Sequence, residues 1–136
     1  MYELFEHTSD LGLRVHAPDL DSLFREAAEG LFSMIAEKWR PEGAATQHDF
    51  SLRADSHETL LFDWLSELLY TFHTERRLLS RFEVDVEGRK LEARAAGTRL
   101  DHEVHQLLHE VKAITYHGLK VERTSSGWQA ELIVDI

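Results

Sequence analysis

Glu6-His7-Thr8-Ser9-Asp10-Leu11-Gly12 puts carboxylate, imidazole and hydroxyl groups within five consecutive positions, with a glycine close behind. The last residues, Val134-Asp135-Ile136, bring another carboxylate. Ile136 adds its main-chain oxygens, and a free α-carboxylate if the chain ends there. Hard oxygen donors of this kind suit Ca²⁺, Mg²⁺ or Mn²⁺ better than zinc or copper. We expect the two pieces to meet, so that Asp10, Asp135 and Ile136 share a divalent cation at one acidic end of the molecule. Spacing alone does not separate that reading from two solvated aspartates. The N-terminal stretch reads as a loop on a sheet edge, where Gly12 lets the backbone bend without steric cost.

Other chemistries find less support. The His-Glu-x-x-His zinc-protease motif is absent from a chain with nine histidines. His57, His73, His102, His105 and His109 sit in polar surroundings and read as surface residues. His105 and His109 would chelate a metal at i, i+4 only if their segment were helical. His7 and His117 each flank a turn-forming stretch. Asp63 reads as part of a solvated helix face rather than as a functional carboxylate. Without a glycine-rich phosphate loop, a Gly-x-Ser-x-Gly elbow or any cysteine, a stand-alone hydrolase is hard to defend.

The 136 residues suit one domain spanning 1–136, and 43% hydrophobic content is ordinary for a globular chain. The net charge is −10. Such a chain repels phosphate backbone, so tight direct binding of RNA or DNA is not expected. Metal cations and basic protein surfaces are the natural partners. No apolar run approaches the roughly 20 residues of a membrane helix, and Met1 to Glu6 lack a secretory signal pattern. We expect a cytoplasmic protein with no membrane contact.

The elements that must position the acidic groups follow from periodicity. Tyr2-Glu3-Leu4 and Leu13-Arg14-Val15-His16 alternate like half-buried strands. Pro18 and Asp19 open a helix, with Asp19 or Asp21 able to cap it. Its stripe is Leu20, Leu23, Phe24, Ala27, Leu31 and Ile35. Lys38 to His48 reads as a loop, followed by a strand at Phe50-Ser51-Leu52-Arg53-Ala54. Asp55 and Glu58 have capping-box spacing before a second helix at about 56–75. That helix carries Leu61, Trp64, Leu65, Leu68, Leu69 and Phe72 on its core face, which should pack on a sheet holding both terminal hairpins. Phe82 to Val86 and Leu91 to Ala95 form a hairpin with Gly88-Arg89 as its turn. A short helix or turn is expected within 106–116. Leu119-Lys120-Val121 and Trp128 to Val134 make a last hairpin through Ser125, Ser126 and Gly127. The order predicts an α+β domain, with two main helices and one short helix on a mixed, mainly antiparallel sheet.

Four stretches together resemble the archease family. They are Glu6-His7-Thr8-Ser9-Asp10-Leu11-Gly12, Leu60 to Leu69, Glu110-Val111-Lys112-Ala113-Ile114-Thr115-Tyr116-His117-Gly118-Leu119-Lys120-Val121, and the closing Val134-Asp135-Ile136. The resemblance runs over essentially the whole chain. It implies a cytoplasmic accessory protein, not an enzyme, that assists an RtcB-type tRNA-splicing RNA ligase. That ligase uses GTP and divalent metal, and its archease promotes guanylylation and multiple turnover. The resemblance also implies a metal, calcium in a structure with magnesium or manganese as alternatives, held by Asp10, Asp135 and Ile136. One departure is Val104-His105-Gln106-Leu107-Leu108-His109, where the family usually carries a more basic run. The residues by themselves leave two other readings open. One is a metal-dependent enzyme acting alone on a small phosphorylated substrate, and the other is a chaperone-like interaction module.

Overall fold

The computed structural model describes residues 1–7, 10–37 and 46–136. Strands β1 (Tyr2–His7) and β2 (Asp10–Ala17) lead into helix α1 (Leu20–Ile35). Strand β3 (Thr46–Arg53) and helix α2 (His57–Glu75) follow, then the hairpin β4 (Arg77–Glu87) and β5 (Lys90–Arg99). The chain closes with β6 (Ala113–Ile114), β7 (Lys120–Thr124) and β8 (Gly127–Asp135).

These strands make two sheets. In the larger one the order is β1-β2-β8-β6, with β7 also paired to β8; in the smaller one it is β3-β5-β4. Every pairing among the described residues is antiparallel. The mixed single sheet expected from sequence is therefore two antiparallel sheets. The α+β class itself stands, because the two helices pack on antiparallel sheets and do not alternate with parallel strands.

Asp19 caps α1 by accepting from the Ser22 amide at 2.8 Å. That contact holds the Asp19 carboxyl below its ordinary value. Asp21 is used differently: its carboxylate accepts from the Val86 amide at 2.7 Å and ties the helix start to β4. At α2 the expected capping box does not form. Ser56 is the cap, accepting from the Thr59 amide at 3.1 Å. Glu58 instead turns outward to accept from the Val121 amide of β7 at 3.0 Å.

The core stripe of α2 lies where its periodicity predicts. Trp64 is 0% exposed, and its ring N–H donates to the Phe24 carbonyl at 3.0 Å. Its ring meets Phe50 of β3 and Phe82 of β4 edge-on, at 5.3 and 6.4 Å. The tryptophan thus packs against the smaller sheet, not the sheet of the terminal hairpins. Other residues of α2 reach the larger sheet, through Glu58 on β7 and through Phe62, which stacks on Tyr116 at 3.9 Å. One helix therefore braces both sheets around a single core cluster.

The short helix expected within 106–116 is absent. The Leu108 and His109 amides donate to the Ile35 and Met34 carbonyls, at 2.8 and 3.1 Å. Those carbonyls end α1 and have no partner within their own helix. Serving them keeps residues 106–109 extended, and Leu107 bridges Ala36. The apparent helical stripe is accordingly false: Val104, Leu107 and Leu108 are exposed and only Val111 is buried.

Element ends also move. Thr46 to His48 belong to β3 instead of the expected loop, and residues 38–45 of that loop lie outside the described ones. The 77–99 hairpin is longer than expected on both arms, with φ +59° at Gly88 in its turn. Opposite a register shift between Leu79 and Arg81 stands Gly97, where a Cβ would lie 2.1 Å from the Leu78 carbonyl oxygen. Only glycine lets the bulged strand come so close. Among the described residues no helix is long and apolar enough to cross a membrane.

Candidate functional site

The two acidic pieces meet through strand register. β2 pairs with β8 along its whole length, from Ala17 opposite Trp128 to Asp10 opposite Asp135. Residues directly opposite on an antiparallel ladder point to the same face, with Cβ atoms roughly 4.5–5.5 Å apart. Leu11, Leu13 and Val15 alternate into the core, as do Ala130, Leu132 and Val134. Asp10 and Asp135 therefore share the opposite face at one end of the sheet.

A short row crosses the sheet at that end. His7 pairs with Asp10, Asp10 with Asp135, and Asp135 with Ala113. The Asp135 carbonyl accepts from the Lys112 amide at 2.8 Å, which anchors the far side of the row. Asp10 is half-buried and Asp135 exposed; Ile136 is half-buried and packs against the core. Most of the expected N-terminal loop is in fact strand. Glu6 and His7 belong to β1, and Asp10 to Gly12 to β2. Thr8 and Ser9 lie outside the described residues.

Gly12 serves packing, not a bend. A Cβ there would lie 2.2 Å from the tip of the Phe5 ring, so the ring lies directly across the glycine. The Arg14 guanidinium sits 4.6 Å above the same ring. It also bonds Glu3 at 3.0 Å and Glu131 at 3.1 Å. The hydrogen bonds to Glu3 and Glu131 raise the Arg14 pKa above its ordinary value. This three-strand lock pins β2 between β1 and β8. A one-residue slip would send the Leu11-Leu13-Val15 row to solvent, so the lock also fixes Asp10 against Asp135.

The stretch from Lys112 to Leu119 holds the other flank. Thr115 donates to the Ile133 carbonyl through both its amide (3.1 Å) and its hydroxyl (2.8 Å). Tyr116 stacks on Phe62 of α2, and Gly118 turns the chain at φ +64°. Nε2 of His73 lies 3.0 Å from the Val111 carbonyl. A strand of two residues is thus held beside Asp135 by contacts from both of its ends.

The donor set is two carboxylates and the main-chain oxygens of Ile136. Among the described residues no three His, Asp or Glu side chains group so as to hold a metal by themselves. A cation at this end would therefore need main-chain oxygen as well as Asp10 and Asp135. An all-oxygen set of that kind fits a hard divalent ion. Two carboxylates fixed on one face repel each other, which a cation between them relieves.

The histidine expectations change. His105 is 8% exposed, not a surface residue, and its Nδ1 accepts from the Asp101 amide at 2.9 Å. With that segment extended, His105 and His109 lose the helical spacing a chelate requires. His117 and His57 lie at the surface or half-buried, and Asp63 is a half-buried residue on the outer side of α2. Sequence reasoning missed the Glu3-Arg14-Glu131 lock. Its only signal is that all three occupy the wet face by strand parity, and parity does not give register.

The sequence matches the profile of the Archease protein family over residues 2–136. It is 35% identical to the protein archease of Methanosarcina mazei, with 99% of this chain and 95% of that one covered. Identity to the protein archease of Pyrococcus abyssi is 37%, covering 99% and 98%. The fold resembles the solution structure of a Methanobacterium thermoautotrophicum protein, with TM-score 0.83 at 29% identity over 99% of this chain and 98% of that one. It also resembles a Thermotoga maritima crystal structure described as "an archease, possible chaperone". There the TM-score is 0.70 at 20% identity, covering 100% and 98%.

Proposed function

The chain belongs to the archease family, and from that premise we propose that it is a cytoplasmic, non-enzymatic activator of an RtcB-type tRNA-splicing RNA ligase. It promotes guanylylation and multiple turnover of that ligase. The observation that carries the reading is the register pair Asp10–Asp135 at a sheet end, beside the main-chain oxygens of Ile136. These groups would hold a divalent cation, calcium or alternatively magnesium or manganese. When bound, such an ion supplies positive charge for phosphate oxygens.

This chain's own residues supply position. The Arg14 lock and the Thr115 clamp keep the two carboxylates facing one way, at one end of the sheet. The acidic end is an electrostatic complement to the cationic surface that a ligase handling RNA and GTP must present. The covalent chemistry belongs to the ligase, since the site offers oxygen donors and no motif for an activated nucleophile.

The test is single-turnover guanylylation of the cognate ligase. Asp10→Ala and Asp135→Ala should stay folded and lose the stimulation shown by the parent protein. Equal stimulation by both variants would sink the acidic-end mechanism.

A further inference from the structure

A second feature lies apart from the acidic end. Between α1 and β4 runs a groove of about 410 Å³. Its floor is apolar and buried, formed by Phe32, Leu79 and Phe82. Its lips are Tyr2 and Leu108, 37% and 44% exposed. The bulge between Leu79 and Arg81 forms part of the β4 wall. An apolar floor open to water is the form of a pocket that receives an anchoring side chain.

The rim gives the sign of the visitor. Glu29 and Glu37 line the groove, and no lysine or arginine does so among the described residues. Burial pushes the Glu29 carboxyl above its ordinary value, and the charge of Arg25 opposes that rise. Arg25 reaches Glu29 only loosely, at 3.7 Å. A half-desolvated carboxylate gains from a well-placed cation. The acidic rim disfavours a nucleic-acid strand, and it disfavours a second copy bringing the same two glutamates.

We propose that this groove is the grip by which the chain docks on its ligase, taking an apolar ligase side chain flanked by lysine or arginine. The proposal rests on the reading of the protein as a ligase activator and names the surface that holds the partner. A protein that binds RNA and GTP carries cationic surface for their phosphates, which matches the charge of this rim. Grip and activation then lie in different places: the α1–β4 groove sets affinity, and the Asp10–Asp135 end sets the stimulation reached once bound.

The experiment pairs binding with activity, using the intact chain and its cognate ligase. Binding is measured by titration calorimetry and stimulation by guanylylation at increasing activator concentration. Leu108→Asp and the double variant Glu29→Lys with Glu37→Lys alter side chains at the groove's lip and rim, so thermal unfolding should show folded protein. Should Leu108→Asp fail to fold, the lysine variant carries the test. Each should bind about tenfold or more weakly, need correspondingly more protein for half-maximal stimulation, and reach the parental maximum. Asp135→Ala should do the reverse, with binding kept and the maximum lost. Groove variants that bind as tightly as the parent overturn the proposal and leave the activator reading intact. Groove variants that bind normally but lower the maximum also overturn it. A parent protein that neither binds nor stimulates the ligase overturns both.

Discussion

Asp10 faces Asp135 across β2 and β8, and Asp85 faces Glu92 across β4 and β5. Both are pairs of carboxylates directly opposed on antiparallel strands, on the wet side of a sheet. Their neighbours differ. The Glu92 carboxylate accepts from the Ser51 hydroxyl at 2.9 Å and meets the Lys90 ammonium at 3.3 Å. The hydrogen bonds from Ser51 and Lys90 hold its carboxyl below the ordinary glutamate value. In the next row Arg94 stands between Glu83 and Asp49 and bonds Asp49 at 3.0 Å. On that face Glu92 and Asp49 each have a cationic partner, Lys90 and Arg94.

At the other pair the arrangement is unlike this. The same row holds His7 and Ala113, and the nearest arginine along β2 is Arg14. Arg14 lies four positions along the strand from Asp10, about 13 Å at strand rise, beyond a Debye length at physiological salt. Arg14 is also committed to Glu3, Glu131 and the Phe5 ring. The acidic pair at the sheet end lies next to the main-chain oxygens of Ile136. Opposed carboxylates are thus no site in themselves; what sets Asp10 and Asp135 apart from Asp85 and Glu92 is their place at a sheet end, next to the main-chain oxygens of Ile136.

The largest effect should come from exchanging the two pairs as targets. Asp10→Ala or Asp135→Ala should abolish stimulation of guanylylation, whereas Asp85→Ala should leave it within about twofold, under 0.5 kcal/mol. Equal loss at both pairs would mean that overall acidity matters and the sheet end does not.

Next comes Trp64→Ala, which should cost about 3–5 kcal/mol in denaturant unfolding. Because α2 braces both sheets, both pairs should lose their order together. A cost below about 1 kcal/mol would show that the buried ring contributes little to either sheet.

Metal addition gives a smaller and more local contrast. Calcium at a hundred times its dissociation constant should stabilise the parent by about 2.7 kcal/mol, read as a rise in Tm. Asp135→Asn should lose that rise and Asp85→Asn should keep it. A rise surviving Asp135→Asn would place the ion elsewhere.

The smallest effect belongs to Ser51→Ala. The Glu92 carboxyl is lowered in the folded chain, so its contribution to stability is present above the ordinary glutamate value of about 4.3. It is lost as pH falls through the folded value. Removing the Ser51 donor should move that carboxyl up toward its ordinary value in a carbon-detected NMR titration, with guanylylation unaffected. An unmoved carboxyl would mean that Lys90 alone sets it.

Periodicity was enough for α1 and α2, because burying one face of a helix writes a 3.6-residue stripe into the chain. Leu23, Phe24, Leu61, Trp64 and Leu68 are all buried as their spacing demands. Alternation was enough for the two long hairpins and for which residues of β2 face the core. The segment 104–111 shows where local pattern fails. Its helical spacing is real, but its amides bond the carbonyls ending α1, and that partner lies some seventy residues away in sequence.

The residues of the acidic end could be named from sequence, since carboxylates near both ends and an archease-like pattern are properties of the string. Their meeting could not be derived from spacing. It depends on β2 pairing with β8 in one register, locked by Arg14 across three strands and by Thr115 on the far flank. The role of Gly12 was equally hidden, because a glycine in a strand shows no sign of the ring that lies over it. The α1–β4 groove depends on a bulge and on a chain segment packed against the end of α1. Sequence by itself determined which residues are apolar, acidic or turn-forming, and the periods in which they recur. Register, crossing contacts and the neighbours of each charge were decided only by the tertiary structure, because they depend on contacts between residues far apart in the chain.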